Sequence, residues 1–455
     1  MTGPAVDPAV ESALAAAHRG EWGRVLAATA RVTRDLDLAE ECVQEAYADA
    51  LRSWAAGVPG NPAAWLTTAA RRRAVDVVRR ESALRARLPL LVIEAETHTG
   101  TGAGNRPAPD EPWPYGPPQG EPPQAEPAPG ELAPGEREIL RLIFTCCHPA
   151  LAPEAQVALT LRLVCGMPAA DIAQAFLVQE TTMAARITRA KKKIAAARIP
   201  FRIPRPAELP ERLGAVLNVV HLLFTAGHTA PSGPDLVRAD LVDRARQLTG
   251  LLRELMPDER EVRGLHALLL VTDARRATRA DASGRLVRLA DQDRSRWDGA
   301  ALAEAEDLIT GCLRAGPPGR YVLQAAIASL YADAPSYEQT DWPQLVALYD
   351  ELLRVWPSPV AALNRTVPLA MVSGPEPALA EVERLERGGR LAGYRYLPAV
   401  KADLLARLGR TGEAAAAYRQ ALALTANDAE RAFLTERLAA VASVASVAGN
   451  GGGAG

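Results

Sequence analysis

At 455 residues, 48% apolar and 23% charged, the chain has room for about three domains, and ordinary globular proportions exclude disorder throughout. Aromatics supply only 5%, while Ala, Leu and Arg dominate, a mix that favours helices over β-sandwiches. The 52 basic and 54 acidic residues leave a net charge of −2, so any nucleic-acid surface must arise from local segregation of charge.

Residues 8–88 read as helices. From Leu36 the positions Leu36, Ala39, Val43, Ala46, Tyr47, Ala50, Leu51 and Trp54 recur at helical spacing. The opposite face carries Glu40, Glu41, Gln44, Glu45 and Asp49 and is expected to be an acidic, wet face. Gly57, Pro59, Gly60 and Pro62 interrupt it, with Asn61 placed to cap the next helix and Pro62 at its first position. That helix reverses the charge, holding Arg71, Arg72, Arg73, Arg79, Arg80, Arg85 and Arg87 against Asp76 and Glu81. Residues 99–135 differ in kind: eleven prolines fall between Pro107 and Pro134. Too little apolar surface is present there to offset chain entropy, so a flexible linker is expected.

Helices resume over residues 136–200 as four short segments, GEREILRLIFTCCH, PEAQVALTLRLVCG, MPAADIAQAFLV and QETTMAARITRAKKKIAAAR. Gly166 is placed as a left-handed cap. The last two have helix-turn-helix proportions. Residues 205–442 form a long α-only stretch with a weak repeat, Tyr349 and Pro357 matching Tyr418 and Ala426 at an offset of 69 residues. Gly409, Ala414, Tyr418 and Ala421 stand where a tetratricopeptide repeat packs small and aromatic residues. A degenerate helical array is expected, followed by a disordered tail over 443–455. The fold class is therefore all-α.

A helix-turn-helix lays its second helix in the major groove, with its first side chains at base edges and flanking cations on phosphates. Here that places Gln179, Glu180, Thr181, Thr182 and Met183 at the groove, and Arg186, Arg189, Lys191, Lys192 and Lys193 along the backbone. The plain alternative is a solvated basic face on an ordinary helical hairpin.

These segments resemble the extracytoplasmic-function (ECF) branch of sigma-70 factors. DLDLAEECVQEAYADALRSW resembles the region 2 helix that docks on the polymerase clamp, and PAAWLTTAARRRAVDVVRRE the segment that reads the promoter −10 element. MPAADIAQAFLVQETTMAARITRAKKKI resembles region 4, the −35 reader. TCCHPAL, ALTLRLVCG, IPFRIP, DQDRSRW, SPVAALNR and the repeat-like end resemble the subgroup with a large C-terminal helical extension. The resemblance implies two small helical sigma domains, at 8–88 and 136–200, and a tetratricopeptide-like array at 205–442. It implies core RNA polymerase as partner, through the clamp at region 2 and the flap at region 4, together with promoter DNA. Asp37, Glu40, Glu41, Gln44 and Glu45 match the clamp-contacting face; Trp65, Arg71, Arg73, Asp76, Arg79 and Arg80 match the −10 segment. Arg72 stands where the family usually shows Asn and is assigned to a phosphate. The extension is expected to be a built-in regulatory module with a protein partner. Because IPFRIPRP is proline-rich, cutting after Arg205 is expected to leave a folded two-module factor. The rival reading is a helix-turn-helix regulator with a tetratricopeptide-type scaffold or sensor that never joins polymerase.

Other chemistry fails on spacing. Cys146, Cys147, His148 and Cys165 lack a Cys-x-x-Cys pair and make poor tetrahedral zinc ligands. Asp291 and Asp293 open like a calcium loop, but Arg296 and Leu302 occupy its glycine and glutamate positions. DQDRSRW reads better as a structural salt-bridge cluster or contact surface. His221, His228 and His266 lie among apolar helices without a nucleophile nearby. No phosphate-binding loop, dinucleotide fingerprint or serine elbow occurs, so neither enzyme activity nor a cofactor or metal is expected. No apolar run reaches the ~18 residues of a membrane span, and the N-terminus lacks a basic start before an apolar stretch. Five scattered cysteines, Cys42, Cys146, Cys147, Cys165 and Cys312, fit reduced thiols. A soluble cytoplasmic protein with no membrane partner is expected.

Overall fold

The computed structural model describes residues 7–97, 134–176 and 178–450. The expected linker at 99–135 lies outside them apart from its last two residues, and so do 451–455. Among the described residues there are 18 α-helices and one short parallel strand pair, so the chain is all-α as expected.

The helices divide between two compact units, and the division does not follow chain order. The first unit takes residues up to Leu151, Arg162–Gly166 and Ile187–Arg205; the second takes Ala152–Leu161, Met167–Arg186 and everything from Pro206. Residues from both the 136–200 and the 205–442 stretches thus share the second unit.

In the first unit, α1 (Pro8–Thr33), α2 (Leu36–Ser53) and α3 (Pro62–Thr97) pack on one another, and α4 (Pro134–Cys146) packs on α1. Local chemistry sets their ends. Asp7 accepts from the Ala9 amide at 2.9 Å and Pro8 opens α1. Asp35 accepts from Asp37 and Leu38 at 2.8 and 3.0 Å to start α2. Asn61 caps α3 through the Ala64 amide at 3.0 Å, as the Asn-Pro pair predicts. Val25, Leu26, Val43, Trp54, Leu66 and Ala70 are buried between the helices, each large side chain contributing about 1.5–3 kcal/mol of burial. A Cβ on Gly23 would run into the Val164 carbonyl, so only glycine lets α1 pass that turn. Gly166 has φ +70° and ends the same turn, as its predicted left-handed cap requires.

The second unit begins with α5 (Pro153–Leu159), whose continuation through Thr160–Val164 is π-helical. It adds α6 (Ala169–Ala175) and the first part of α7 (Glu180–Ala196). There follow α8 (Leu209–His228), α9 (Ala239–Leu255), α10 (Arg260–Asp273), α11 (Gly299–Arg314) and α12 (Arg320–Asp333). Next come α13 (Trp342–Val355), α14 (Pro359–Val372), α15 (Pro375–Arg387), α16 (Tyr396–Arg407), α17 (Thr411–Leu424) and α18 (Asp428–Asn450). From α12 onward each helix packs against the next, the pattern of a stacked array. Tyr349 is buried with Trp342 and Leu345, and Tyr418 with Leu404 and Ala414.

Two features depart from an open array with a loose end. Ser232–Gly233 pairs in parallel with Ala426–Asn427, and the buried Asn427 amide donates to the Asp235 carbonyl at 2.8 Å. The loop after α8 is thereby pinned to the loop after α17. The last helix also runs through Asn450, so residues 443–450 are helical where a tail was expected. The preceding turn, with Ala439, Ala440 and Ala442, carries a helix already started into this stretch.

Candidate functional site

Helix α2 buries Leu36, Ala39, Val43, Ala46 and Ala50 and presents Asp37, Glu41, Gln44 and Glu45 to solvent. Glu40 departs from the expected wet face: only 6% of it is exposed. Its carboxylate is satisfied from three sides, by Arg162, by Lys191 Nζ at 2.5 Å and by the Gln44 amide at 3.4 Å. Lys191 also reaches Asp37 at 2.8 Å and is 9% exposed. Burial pulls the Lys191 ammonium down, but hydrogen bonds and charges from Asp37 and Glu40 outweigh it and hold the group above its ordinary value. It stays charged. In this arrangement Lys191, expected along a DNA backbone, is a buried counter-ion, and the Asp37–Glu40 end of the acidic face is occupied.

Helix α3 carries Arg72, Asp76, Arg79 and Arg80 exposed and Arg71 half-buried. Arg73 turns back to α2, where it pairs with Glu45 and lies 3.9 Å from Asp49. Trp65 is half-buried, edge-on to the buried Trp54 with ring centroids 5.6 Å apart. Acidic and basic faces thus lie side by side within one bundle.

On α7, Gln179 just before the helix and Glu180, Thr181 and Thr182 in its first turn are exposed, as are Arg189, Lys192 and Lys193 further along. Met183, expected at the groove, is instead a fully buried core residue. The cause is periodicity: Met183, Ile187, Ala190, Lys191 and Ile194 form the inner stripe of the helix. Arg186 is half-buried and lies over the Phe176 ring, 5.9 Å from its centroid. Arg162 had not been singled out from the sequence, and a partner so distant along the chain leaves no local signal.

The remaining candidates are structural. Cys146 and Cys147 are buried free thiols, and burial pushes Cys146 well up from its ordinary value. Among the described residues no group of three His, Cys, Asp or Glu is placed to hold a metal ion. His266 Nδ1 meets the Thr249 hydroxyl at 2.8 Å in the core. In DQDRSRW, Arg294 donates to the carbonyls of Tyr331 and Ala334 at 2.7 and 2.9 Å and covers Trp297. Its partners are carbonyls, while Asp291 of the same segment forms an ion pair with Arg288 at 2.7 Å. Asp293 caps the turn through the Ser295 amide.

Comparison with known proteins agrees with this geometry. Residues 22–83 match sigma-70 region 2 and residues 141–194 match sigma-70 region 4. Residues 212–313 match a family of unknown function, DUF6596. An uncharacterized protein of Rhizobium meliloti (strain 1021) is 42% identical over 430 residues, covering 94% of this chain and 95% of the relative. No solved structure matches the chain. Together with an acidic helix beside an arginine-rich one, the region 2 and region 4 matches support a role in promoter recognition. The same two matches support a sigma-70 family factor. No helix among the described residues is long and apolar enough to cross a membrane.

Proposed function

We propose that the protein is a sigma factor of the extracytoplasmic-function type, which binds core RNA polymerase and reads the −10 and −35 elements. The observation that supports this best is the division of charge in the first unit. Helix α2 turns Glu41, Gln44 and Glu45 outward, while α3 turns Arg72, Arg79 and Arg80 outward. An acidic face suits a basic surface of polymerase and steers the encounter, and an arginine row suits phosphates. In this reading Asp37, Glu40, Glu41, Gln44 and Glu45 meet the clamp. Trp65, Arg71, Arg72, Arg73, Asp76, Arg79 and Arg80 serve the −10 element. Gln179, Glu180, Thr181, Thr182, Arg186, Arg189, Lys192 and Lys193 serve the −35 element. The bridge from Lys191 to Asp37 and Glu40 has to open before those two acids reach polymerase, so the arrangement described is the polymerase-free form. The helices from α8 onward act as a tetratricopeptide-like regulatory extension in the same chain. Tethering gives such a module a high effective concentration.

The test is co-purification with core polymerase followed by run-off transcription. Glu41 is exposed, so Glu41→Lys is expected to abolish polymerase binding with helical content unchanged. Undiminished co-purification of that variant would remove α2 from the interface.

A further inference from the structure

Among α8, α10, α12, α13 and α14 the second unit holds a cavity of about 440 Å³, a size typical of small-molecule sites. Flat aromatic surface comes from Trp297, Tyr331, Tyr349 and Trp356, and two amides, Gln324 and Asn364, also line it. Among the described lining residues Arg275 alone carries a charge, because burial holds His221 to about 4 and keeps it neutral at pH 7.

Arg275 is largely buried, and its guanidinium makes no hydrogen bond or ion pair among the described residues. The nearest acid in sequence does not serve it: Asp273 is held by Arg246 at 2.9 Å and by Arg276 at 2.6 Å. Its charged neighbour is another cation, Arg294, which is engaged with backbone carbonyls. An uncompensated buried cation is costly to a fold. It stands here at the wall of a cavity lined by aromatic faces and neutral amides, a setting that complements an anion.

We propose that this cavity binds a small aromatic carboxylic acid, its carboxylate paired with Arg275 and its ring lying among the Trp and Tyr faces. A guanidinium fork matches a carboxylate in two parallel hydrogen bonds, and planar apolar bodies pack well against aromatic rings. One uncompensated guanidinium balances one negative charge, which favours a carboxylate over a doubly charged phosphate. The two amides suit a further polar substituent on the ring. Neither the cavity nor its charge balance depends on how the protein meets polymerase or DNA.

The experiment is titration calorimetry on the full chain with benzoate, indole-3-acetate and 2-naphthoate, and with neutral 2-naphthamide as control. At least one acid is expected to bind in the micromolar range, with 2-naphthamide about tenfold or more weaker than 2-naphthoate. Arg275→Met is expected to erase the preference for acid over amide, and Arg275→Lys to keep part of it. Since Arg275→Met removes an unpaired buried charge, it is also expected to melt no lower than the parent chain. Ala328→Phe, which takes up cavity volume and leaves the Arg275 side chain in place, is expected to abolish binding of every probe. Absence of binding by all three acids at about 1 mM would overturn the proposal. So would equal affinity for acid and amide, or an acid preference that survives in Arg275→Met. An Arg275→Met chain that failed to fold would assign the residue a structural role instead, and unimpaired binding by Ala328→Phe would move the acid elsewhere.

Discussion

Lys191 and Lys192 are adjacent in a basic run but face opposite environments. Lys191 is buried between Asp37 and Glu40, while Lys192 is exposed. Breaking a buried ion pair costs about 3–5 kcal/mol when a charge is left alone. Arg162 remains on Glu40 and Asp37 is exposed, so Lys191→Met is expected to lower stability by about 1–3 kcal/mol, read in a denaturant melt. Its promoter affinity is expected to keep the parent salt dependence. Lys192→Ala is expected to do the reverse, with unchanged stability and a salt slope shallower by about one across all promoters. The buried histidines give the molecule a second, pH-dependent signature. Burial, assisted by Arg320 at His221 and Arg253 at His266, holds both to about 4. In the unfolded chain they protonate near 6.5, so their neutral forms are favoured by folding. That stability is fully present above about pH 6.5 and is lost as pH falls towards 4, by up to about 1.4 kcal/mol per unit for each group. Replacing His266 by Gln, which keeps a partner for Thr249, is expected to flatten the fall in melting temperature between about pH 6.5 and 5. An identical pH profile in calorimetry would exclude His266 from the acid sensitivity.

At the scale of elements, periodicity carried more than residue type. Glu40 follows Leu36 by four positions and precedes Val43 by three, so it lies on the buried stripe of α2. Its charge argued for water, and its spacing argued for the interior. Met183 and Lys191 stand in the same relation to Ile187 and Ile194 on α7. What a helical period cannot disclose is the compensating charge: Arg162 and Lys191 lie more than a hundred residues from Glu40 along the chain. The outer stripe of α7 was legible, and it is where base recognition is expected. Substituting Glu180 or Thr181 is expected to change −35 preference by about 1–3 kcal/mol per base contact. Binding assays on promoter variants check this; a uniform loss across all of them would make these side chains phosphate contacts or mere structure.

Across the whole chain, the division between the two compact units does not follow the proline-rich boundary at IPFRIPRP alone. Helix α5 packs on α8 within the second unit. Val157, Leu161 and Phe176 face Phe224 across a second cavity of about 540 Å³, which shares His221 and Gln324 with the first. Cutting after Arg205 therefore strips α5 and α6 of their apolar partners. The fragment 1–205 is expected to melt earlier and less cooperatively than the full chain by circular dichroism, with exposed apolar surface around α5 and α6. A sharp melt at the parent temperature would restore the two-module reading. The pin between Ser232–Gly233 and Ala426–Asn427 has a similar effect at the other end, joining segments that sequence spacing alone would hold far apart.

The amino-acid sequence by itself determined the all-α class, the starts of α1 and α3, the acidic and arginine-rich faces and the exposed row on α7. All of these follow from propensity, capping chemistry and a period of 3.6, which act within a few residues. Tertiary structure alone decided that Lys191 is a counter-ion, that Arg162 belongs to the first unit, that α5 and α6 pack with the extension, and that Arg275 faces a cavity without an acid. Each of these depends on which distant side chain supplies or withholds a charge or an apolar surface. Coulombic and packing energies act through space, and the order of residues along a chain does not encode those distances locally.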